Sequence, residues 1–193
     1  MIVTGTEGSI GSACTLALAR CGASLALNDR GPQALERLVG RVRETGVSVT
    51  VTSLVGDVSD YDRVQQMATQ GIAELGNVFG LVNIAGTSMP KPILEMTREE
   101  WAQTWNIHVT SLFNWAQAVL PHMLAAEQGG RIINTSSVSG KQGGDENSGS
   151  RGAYAAAKAG VLGFTRGLVR EVAPQVTVTA ALITASATWG HSA

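Results

Sequence analysis

Charge is scarce in this 193-residue chain: Asp, Glu, Lys and Arg make up only 15% of it, against ~25% in an ordinary soluble domain. The charges nearly cancel, 14 basic against 15 acidic, for a formal net charge of -1. A nucleic-acid binder that works through phosphate contacts needs a basic excess, and so does a polybasic membrane-surface protein, so both classes are excluded. Long apolar runs are missing too; none approaches the ~20 residues of a membrane span. Met1–Gly5 opens without a basic stretch, so no signal peptide is expected. The cysteines are two, Cys14 and Cys21. On one helix they would stand ~10 Å apart along its axis, beyond disulfide reach. Two buried free thiols in a reducing cytosol are the expectation.

What the chain has in quantity is glycine, 23 residues, set between short β-like runs and longer helical patterns. Strands are expected at Ile2–Thr4, Ser24–Asn28, Val47–Leu54, Val78–Asn83, Arg131–Ser136 and Val176–Ile183. Helices are expected at Ser9–Cys21, Pro32–Thr45, Asp60–Leu75, Thr97 to about Glu127, and Gly152–Ala173. Gly22, Gly46 and Gly76 stand where the first three should stop, and Thr97 with Glu100 fits a capping box. Strict β-α-β alternation implies an α/β fold: a doubly wound parallel sheet of about six strands with helices on both faces. No linker or repeat divides the chain, so one domain over 1–193 is expected. The polar stretch Lys141–Ser150 reads as a mobile loop.

Two places carry chemistry. The first strand runs through Thr4-Gly5-Thr6-Glu7-Gly8-Ser9-Ile10-Gly11 into a helix. A glycine-rich turn there lets the backbone approach a pyrophosphate seated on the helix N-terminus. Asp29 follows at the end of the second strand, where an acidic residue would hold the adenine ribose hydroxyls. A carboxylate there repels the 2′-phosphate of NADP, and Glu7 adds to this, so NAD is favoured; Arg30 is the residue that would swing toward a phosphate. The second place is Tyr154-Ala155-Ala156-Ala157-Lys158. Four residues apart on a helix, the phenol and the ammonium share a face, and the positive charge favours the phenolate that proton transfer with an alcohol or ketone requires. Ser137 ends the preceding strand, at the carboxyl edge where open α/β sheets bind ligands.

Taken in order, the glycine turn, Asp29, Asp57-Val58, Asn83-Ile84-Ala85-Gly86, Ser137, Tyr154 and Lys158 resemble the motifs of the short-chain dehydrogenases/reductases over nearly the whole chain. The resemblance implies a Rossmann-type fold and hydride transfer between a nicotinamide cofactor and a secondary alcohol or ketone. Carried over by position, Tyr154 would be the proton donor and acceptor. Lys158 would hold the nicotinamide ribose and favour the phenolate, and Ser137 would bind the substrate oxygen. The dinucleotide would meet Gly5, Glu7, Ser9, Ile10 and Gly11 in the turn, Asp29 and Arg30 at the ribose, Asp57 and Val58 at the adenine, and Asn83, Ala85 and Gly86 beyond. No metal ligand set is implied.

The sequence also departs from the family pattern. Ser9 replaces the second turn glycine, and Ile84 the second Asn of Asn-Asn-Ala-Gly. His108 stands where the family has a helix asparagine that anchors a proton-relay water. His108 either serves that relay or only continues a Trp101, Trp105, Leu112, Trp115 stripe at helical spacing. Ile183-Thr184 replace a Pro-Gly pair, and the resemblance predicts a substrate-covering segment, a helix and a seventh strand after Ala193. A shortened member that binds dinucleotide with little turnover is therefore the alternative to a working oxidoreductase. In the family, the two long helices form a four-helix interface. A homodimer through 97–127 and 152–173 is expected, together with a small-molecule alcohol or ketone substrate and a cytoplasmic location. Lys91, in the two-proline loop 87–92, is expected as a solvated surface lysine or as a reader of an acidic group.

Overall fold

In the computed structural model, residues 1–144 and 152–184 are described. Among them six strands form one parallel sheet: β1 (Ile2–Thr4), β2 (Leu25–Asp29), β3 (Val51–Val55), β4 (Gly80–Asn83), β5 (Gly130–Ser137) and β6 (Val176–Ile183), in the order β3-β2-β1-β4-β5-β6. β1 pairs with both β2 and β4, with Val3 opposite Leu27 on one side and Val82 on the other. The strand order reverses at that point. Connections leave in opposite directions there, and the carboxyl ends of β1 and β4 part to leave a crevice.

Helices α1 (Ser9–Arg20) and α2 (Pro32–Glu44) cover one face, where Leu35, Leu38 and Val42 pack on Val3, Leu25 and Leu27. The other face carries α3 (Tyr61–Leu75), α5 (Ser111–Ala125) and α7 (Gly152–Val172), whose Met67, Trp115, Val119, Met123 and Leu168 bury Ile2, Leu54, Leu81 and Ile132. Each such side chain contributes roughly 1.5–3 kcal/mol on leaving water. The covering is uneven: Ile133 on β5 points away from the second face and is 37% exposed, and Leu182 on β6, on the same side as Val176 and Val178 but past the packed core, is 39% exposed. Among the described residues no helix is long and apolar enough to cross a membrane.

Helix ends follow the expected punctuation. Gly22, Gly46 and Gly76 all take positive φ just past α1, α2 and α3, and Asp60 caps α3 by accepting from the Arg63 N–H. The Thr97–Glu100 capping box is present at the start of α4 (Arg98–Trp105).

Several expectations need correction. β3 covers only the last part of Val47–Leu54, because it is an edge strand whose length is set by its partner: Leu25–Asp29 pair with Val51–Val55, and before them Thr50 alone is tied across, its carbonyl accepting from the Leu25 N–H at 2.8 Å and its N–H donating to Ser24 Oγ at 3.2 Å. The helix expected from Thr97 to Glu127 is interrupted by a π turn, Asn106–Thr110, between α4 and α5. That turn rotates the chain, so the aromatic stripe splits. Leu112 and Trp115 are buried, while Trp101 and Trp105 are 41% and 37% exposed. Lys141 and Gln142 belong to a short helix, α6 (Ser139–Gln142), and not to a loop; residues 145–150 of that stretch lie outside the described residues. The cysteines are free, but Cys21 is exposed and Cys14 half-buried, since the C-terminal turn of α1 faces solvent. Burial holds the Cys14 thiol above its usual pKa.

Candidate active site

The crevice at the carboxyl ends of β1, β2 and β4 is a cleft of about 380 Å³. Its walls include Gly5, Glu7, Ser9, Ile10 and Gly11 from the turn, Asp29 and Arg30 after β2, Asp57 and Val58 after β3, and Ala85 and Gly86 after β4. The sequence therefore names most of the wall. Gly5 holds φ at +68°, and a Cβ on it would stand 2.5 Å from the Ala85 Cα. On Gly11 a Cβ would strike the Gly5 carbonyl. The turn thus runs backbone against backbone, leaving a cradle that only glycine permits. Thr4 Oγ1 accepts from the Ile84 and Ala85 N–H groups and locks the turn to the exit of β4.

The carboxylates at the far end are held by backbone donors. Asp29 accepts from the Glu7 N–H and the Arg30 N–H, both at 2.8 Å. Asp57 accepts from the N–H and hydroxyl of Ser59, at 2.8 and 2.7 Å. Asn114, reaching across from α5, donates to Val58 O at 3.1 Å and supports the same loop from below. Glycine cradle, positioned carboxylates and a helix N-terminus together fit the diphosphate and ribose of a dinucleotide.

Of the residues expected to meet the cofactor, Asn83, Tyr154 and Lys158 lie outside this wall; the latter two line a second cleft, and Asn83 lines neither. Its side chain turns into the sheet, where its amide donates to Asn134 Oδ1 at 2.9 Å; Asn134 donates in turn to Thr165 Oγ1 at 3.0 Å. A buried amide must spend its donors, and the nearest acceptor lies on β5. The sequence also passed over Gly8, Asn28, Gly56, Ile84, Thr87 and Ile107, which complete the wall. Strand-end position after β2 and β3 is the signal that would have found Asn28 and Gly56.

A second cleft, about 430 Å³, opens beside the first and shares Ile10, Ile84, Gly86 and Thr87 with it. Ser137, Tyr154, Lys158 and His108 all line it, together with Ser88, Gln142, Ile183 and Thr184. Residues 17 and 21 positions apart in the chain meet here because β5 ends where α7 begins. Lys158 is buried and donates to Thr135 O at 2.7 Å, while Ser136 Oγ donates to the Lys158 carbonyl at 2.8 Å. β5 therefore grips α7 through both the backbone and the side chain of one residue. Loss of water lowers the Lys158 pKa from 10.5 to about 8. Its ammonium lies 5.6 Å from the centroid of the Tyr154 ring. Ser137 Oγ accepts from the Ser139 N–H at 3.1 Å, the first bond of α6.

His108 sits in the π turn and is buried. Its ring meets Tyr154 edge-on at 5.2 Å between centroids. Nε2 lies 2.8 Å from Thr87 O and 3.3 Å from the Thr87 N–H. The shorter contact assigns the ring proton to Nε2, which leaves Nδ1 a bare acceptor, buried and without a partner. Burial, then the nearby Lys158 charge, lowers the His108 pKa from 6.5 to about 4. The imidazole is neutral at pH 7. His108 therefore leaves the aromatic stripe and joins the cleft.

Lys91 is a surface lysine, as expected, with its side chain 43% exposed. It forms an ion pair with Glu100, whose carboxylate also accepts from the Thr97 N–H, so loop 87–97 is pinned to the start of α4. Among the described residues no cluster of three or more His, Cys, Asp or Glu would hold a metal ion.

Comparison with known proteins agrees with this geometry. A family profile described as short chain dehydrogenase matches residues 1–189. Nodulation protein G of Azospirillum brasilense is 40% identical over 186 residues, covering 93% of this chain and 71% of that protein. A 3-oxoacyl-(acyl-carrier-protein) reductase of Thermotoga maritima is 33% identical over 172 residues, covering 89% of this chain and 67% of the reductase. Among solved structures, a short chain dehydrogenase from Mycobacterium smegmatis superposes with a TM-score of 0.86 at 30% identity, over 95% of this chain and 76% of that one. A metagenomic short-chain oxidoreductase in complex with NADP superposes with a TM-score of 0.84 at 28% identity, over 94% and 80%.

Proposed function

Because the chain belongs to the short-chain dehydrogenase family of NAD(P)-dependent oxidoreductases, we propose that it moves a hydride between nicotinamide and the carbon of a secondary alcohol or ketone, with Tyr154 as general acid and base. One observation supports this reading above the others: Tyr154, Ser137, Lys158 and His108 line a single cleft that adjoins the glycine-turn cleft along Ile10, Ile84, Gly86 and Thr87. Ile10, Ile84, Gly86 and Thr87 would connect a dinucleotide held in the first cleft to the residues of the second.

The first cleft would hold the cofactor: the glycine turn would take the diphosphate, Asp29 the adenine ribose, and Asp57 with Val58 the adenine. The bound nicotinamide supplies a hydride acceptor or donor. The chain's own groups handle the proton and the oxygen. Ser137 Oγ donates to the substrate oxygen and holds it toward Tyr154. The Tyr154 hydroxyl gives its proton to the oxygen in reduction and takes it in oxidation. Lys158 favours the phenolate through its charge, and its burial lets that charge act with little screening. His108, neutral and anchored by its Nε2–H donating to Thr87 O, packs its ring edge-on against Tyr154 and holds the phenol in place beside Lys158.

The reading favours NAD over NADP. The Asp29 carboxylate faces the cleft rim and Glu7 adds a second, so a 2′-phosphate meets two negative charges and only Arg30 in compensation. It also takes the protein as a homodimer through α4, α5 and α7, whose Trp101, Trp105 and Phe113 remain 41%, 37% and 47% exposed in one subunit. Free Cys14 and Cys21 suit a reducing cytoplasm.

Fluorescence titration of the chain with NADH and NADPH, followed by a carbonyl screen, tests the reading. The expected result is tighter binding of NADH, and turnover that Tyr154→Phe removes while leaving NADH affinity within twofold. Absence of binding by either cofactor, or full turnover by Tyr154→Phe, overturns it. A monomer by light scattering at micromolar concentration overturns the dimer.

A further inference from the structure

Asn28 is the next-to-last residue of β2, directly before Asp29, and is fully buried, yet it forms part of the wall of the first cleft. Its polar atoms reach all three segments that carry the adenosine half of that cleft. The backbone carbonyl accepts from the N–H and the hydroxyl of Thr6 in the glycine turn, both at 3.3 Å. The side-chain amide donates to Leu54 O at 2.9 Å and Gly56 O at 3.1 Å, at the end of β3 and just beyond it, and touches Met67 Sδ on α3 at 3.3 Å. Gly56 in turn donates its N–H to Asp29 O at 3.0 Å. One residue thus closes a ring from the turn, through β2, to the loop that presents Asp57.

The amide has only one workable orientation. Rotated half a turn, its oxygen would face two carbonyl oxygens and a thioether, none of which carries a proton. The observed orientation leaves Oδ1 buried and without a partner. A side chain retained with its acceptor unpaired is retained for its donors, since an apolar residue of the same shape would avoid the orphaned oxygen.

We infer that Asn28 is a positioning residue for adenosine recognition, fixing the separation between Asp29 and the Asp57–Val58 loop. The inference rests on the nucleotide reading above. Asp29 and Asp57 follow Asn28 and Gly56 by a single residue each, so the bonds from the Asn28 amide set where both carboxylates stand. Loosening them lets the two ribose and adenine readers drift apart, while the Tyr154 cleft, on the other side of β1, keeps its geometry.

The test is calorimetric titration of the full chain with AMP, the adenosine half alone, and with NADH. Asn28→Asp keeps the shape of the side chain and removes its two donors. Asn28→Ser, checked by its melting curve, guards against failure of the first variant to fold. At pH 8 both variants are expected to weaken AMP and NADH by the same factor, about 10- to 50-fold. In Asn28→Asp, lowering the pH toward 5 protonates the new carboxyl and returns one donor, so its deficit against wild type at the same pH should shrink; Asn28→Ser should show no such recovery. A general loss of packing would not follow pH in this way. If the wild type binds AMP and the folded variants bind it within twofold, the inference is overturned and the nucleotide reading stands. If the wild type binds neither AMP nor NADH, both are overturned.

Discussion

The halves of the sheet on either side of the β1–β4 crevice hold their clefts open by different means. Around the ends of β1, β2 and β3 the wall is mostly backbone. The turn approaches Ala85 with no side chain between, and Asp29 and Asp57 are oriented by N–H donors one to a few positions away or just across the strand. Around β4, β5 and α7 the wall is made of side chains in dry surroundings: a lysine with its pKa brought down to about 8, a histidine brought down to about 4, and a tyrosine between them. A site made of backbone depends on glycine and turn chemistry, which act locally. A site made of buried titratable side chains depends on distant packing, which sets how much water each group loses.

The largest effect should come from the side-chain half. Lys158→Met removes the only buried ammonium among the described residues and is expected to cut turnover about 10²–10⁴-fold, with a much smaller change in NADH affinity by titration. Turnover within tenfold of wild type would erase the distinction drawn between the halves. Next is the backbone half: Gly5→Ala forces a side chain into left-handed backbone 2.5 Å from the Ala85 Cα. The expected loss is about 2–5 kcal/mol in denaturant unfolding, with weakened NADH binding. A neutral substitution would mean that the turn is not the rigid partner of the pair.

A smaller effect separates the halves by pH. His108 takes its proton near pH 4 when folded and near 6.5 when unfolded. The unfolded chain therefore binds the extra proton first, and stability falls as pH drops through the window from about 6.5 to about 4. His108→Asn should remove that component, about 3 kcal/mol between the two ends of the window, seen as a flatter melting temperature against pH than wild type. Parallel pH profiles for the two proteins would show that the histidine pays no burial penalty. The smallest effect belongs to the rim of the side-chain half: Thr97→Ala breaks the capping box that pins loop 87–97 and should cost about 1 kcal/mol. A change beyond about 2 kcal/mol would make that loop part of the core.

What could be read in the sequence follows the same division. The glycine turn, Asp29, Asp57 and the helix stops are local features, and the structure has them where spacing put them. Tyr154 and Lys158 could be found from their four-residue spacing, but the dryness of Lys158 could not, because Thr135 and Ser136 on β5 create it. The direction of the Asn83 side chain is not legible locally, since its partner Asn134 lies 51 residues away. The π turn went unforeseen because no glycine or proline marks 106–110. α6 hid inside a polar stretch that reads as loop, and only the Ser137 hydroxyl at its start gives it a beginning.

That π turn can also be seen as an angular offset. It spends one more residue than an α-helical turn would need, and each residue of an α-helix turns the chain by ~100°. Deleting Ile107 would restore an unbroken helix and swing everything after it round by about that angle. Leu112, Trp115, Val119 and Met123, now directed at the sheet, would be carried off it. The inward aim of His108 and the inward aim of the α5 core are thus a single phase setting, and a one-residue change in this helix can shift neither without the other.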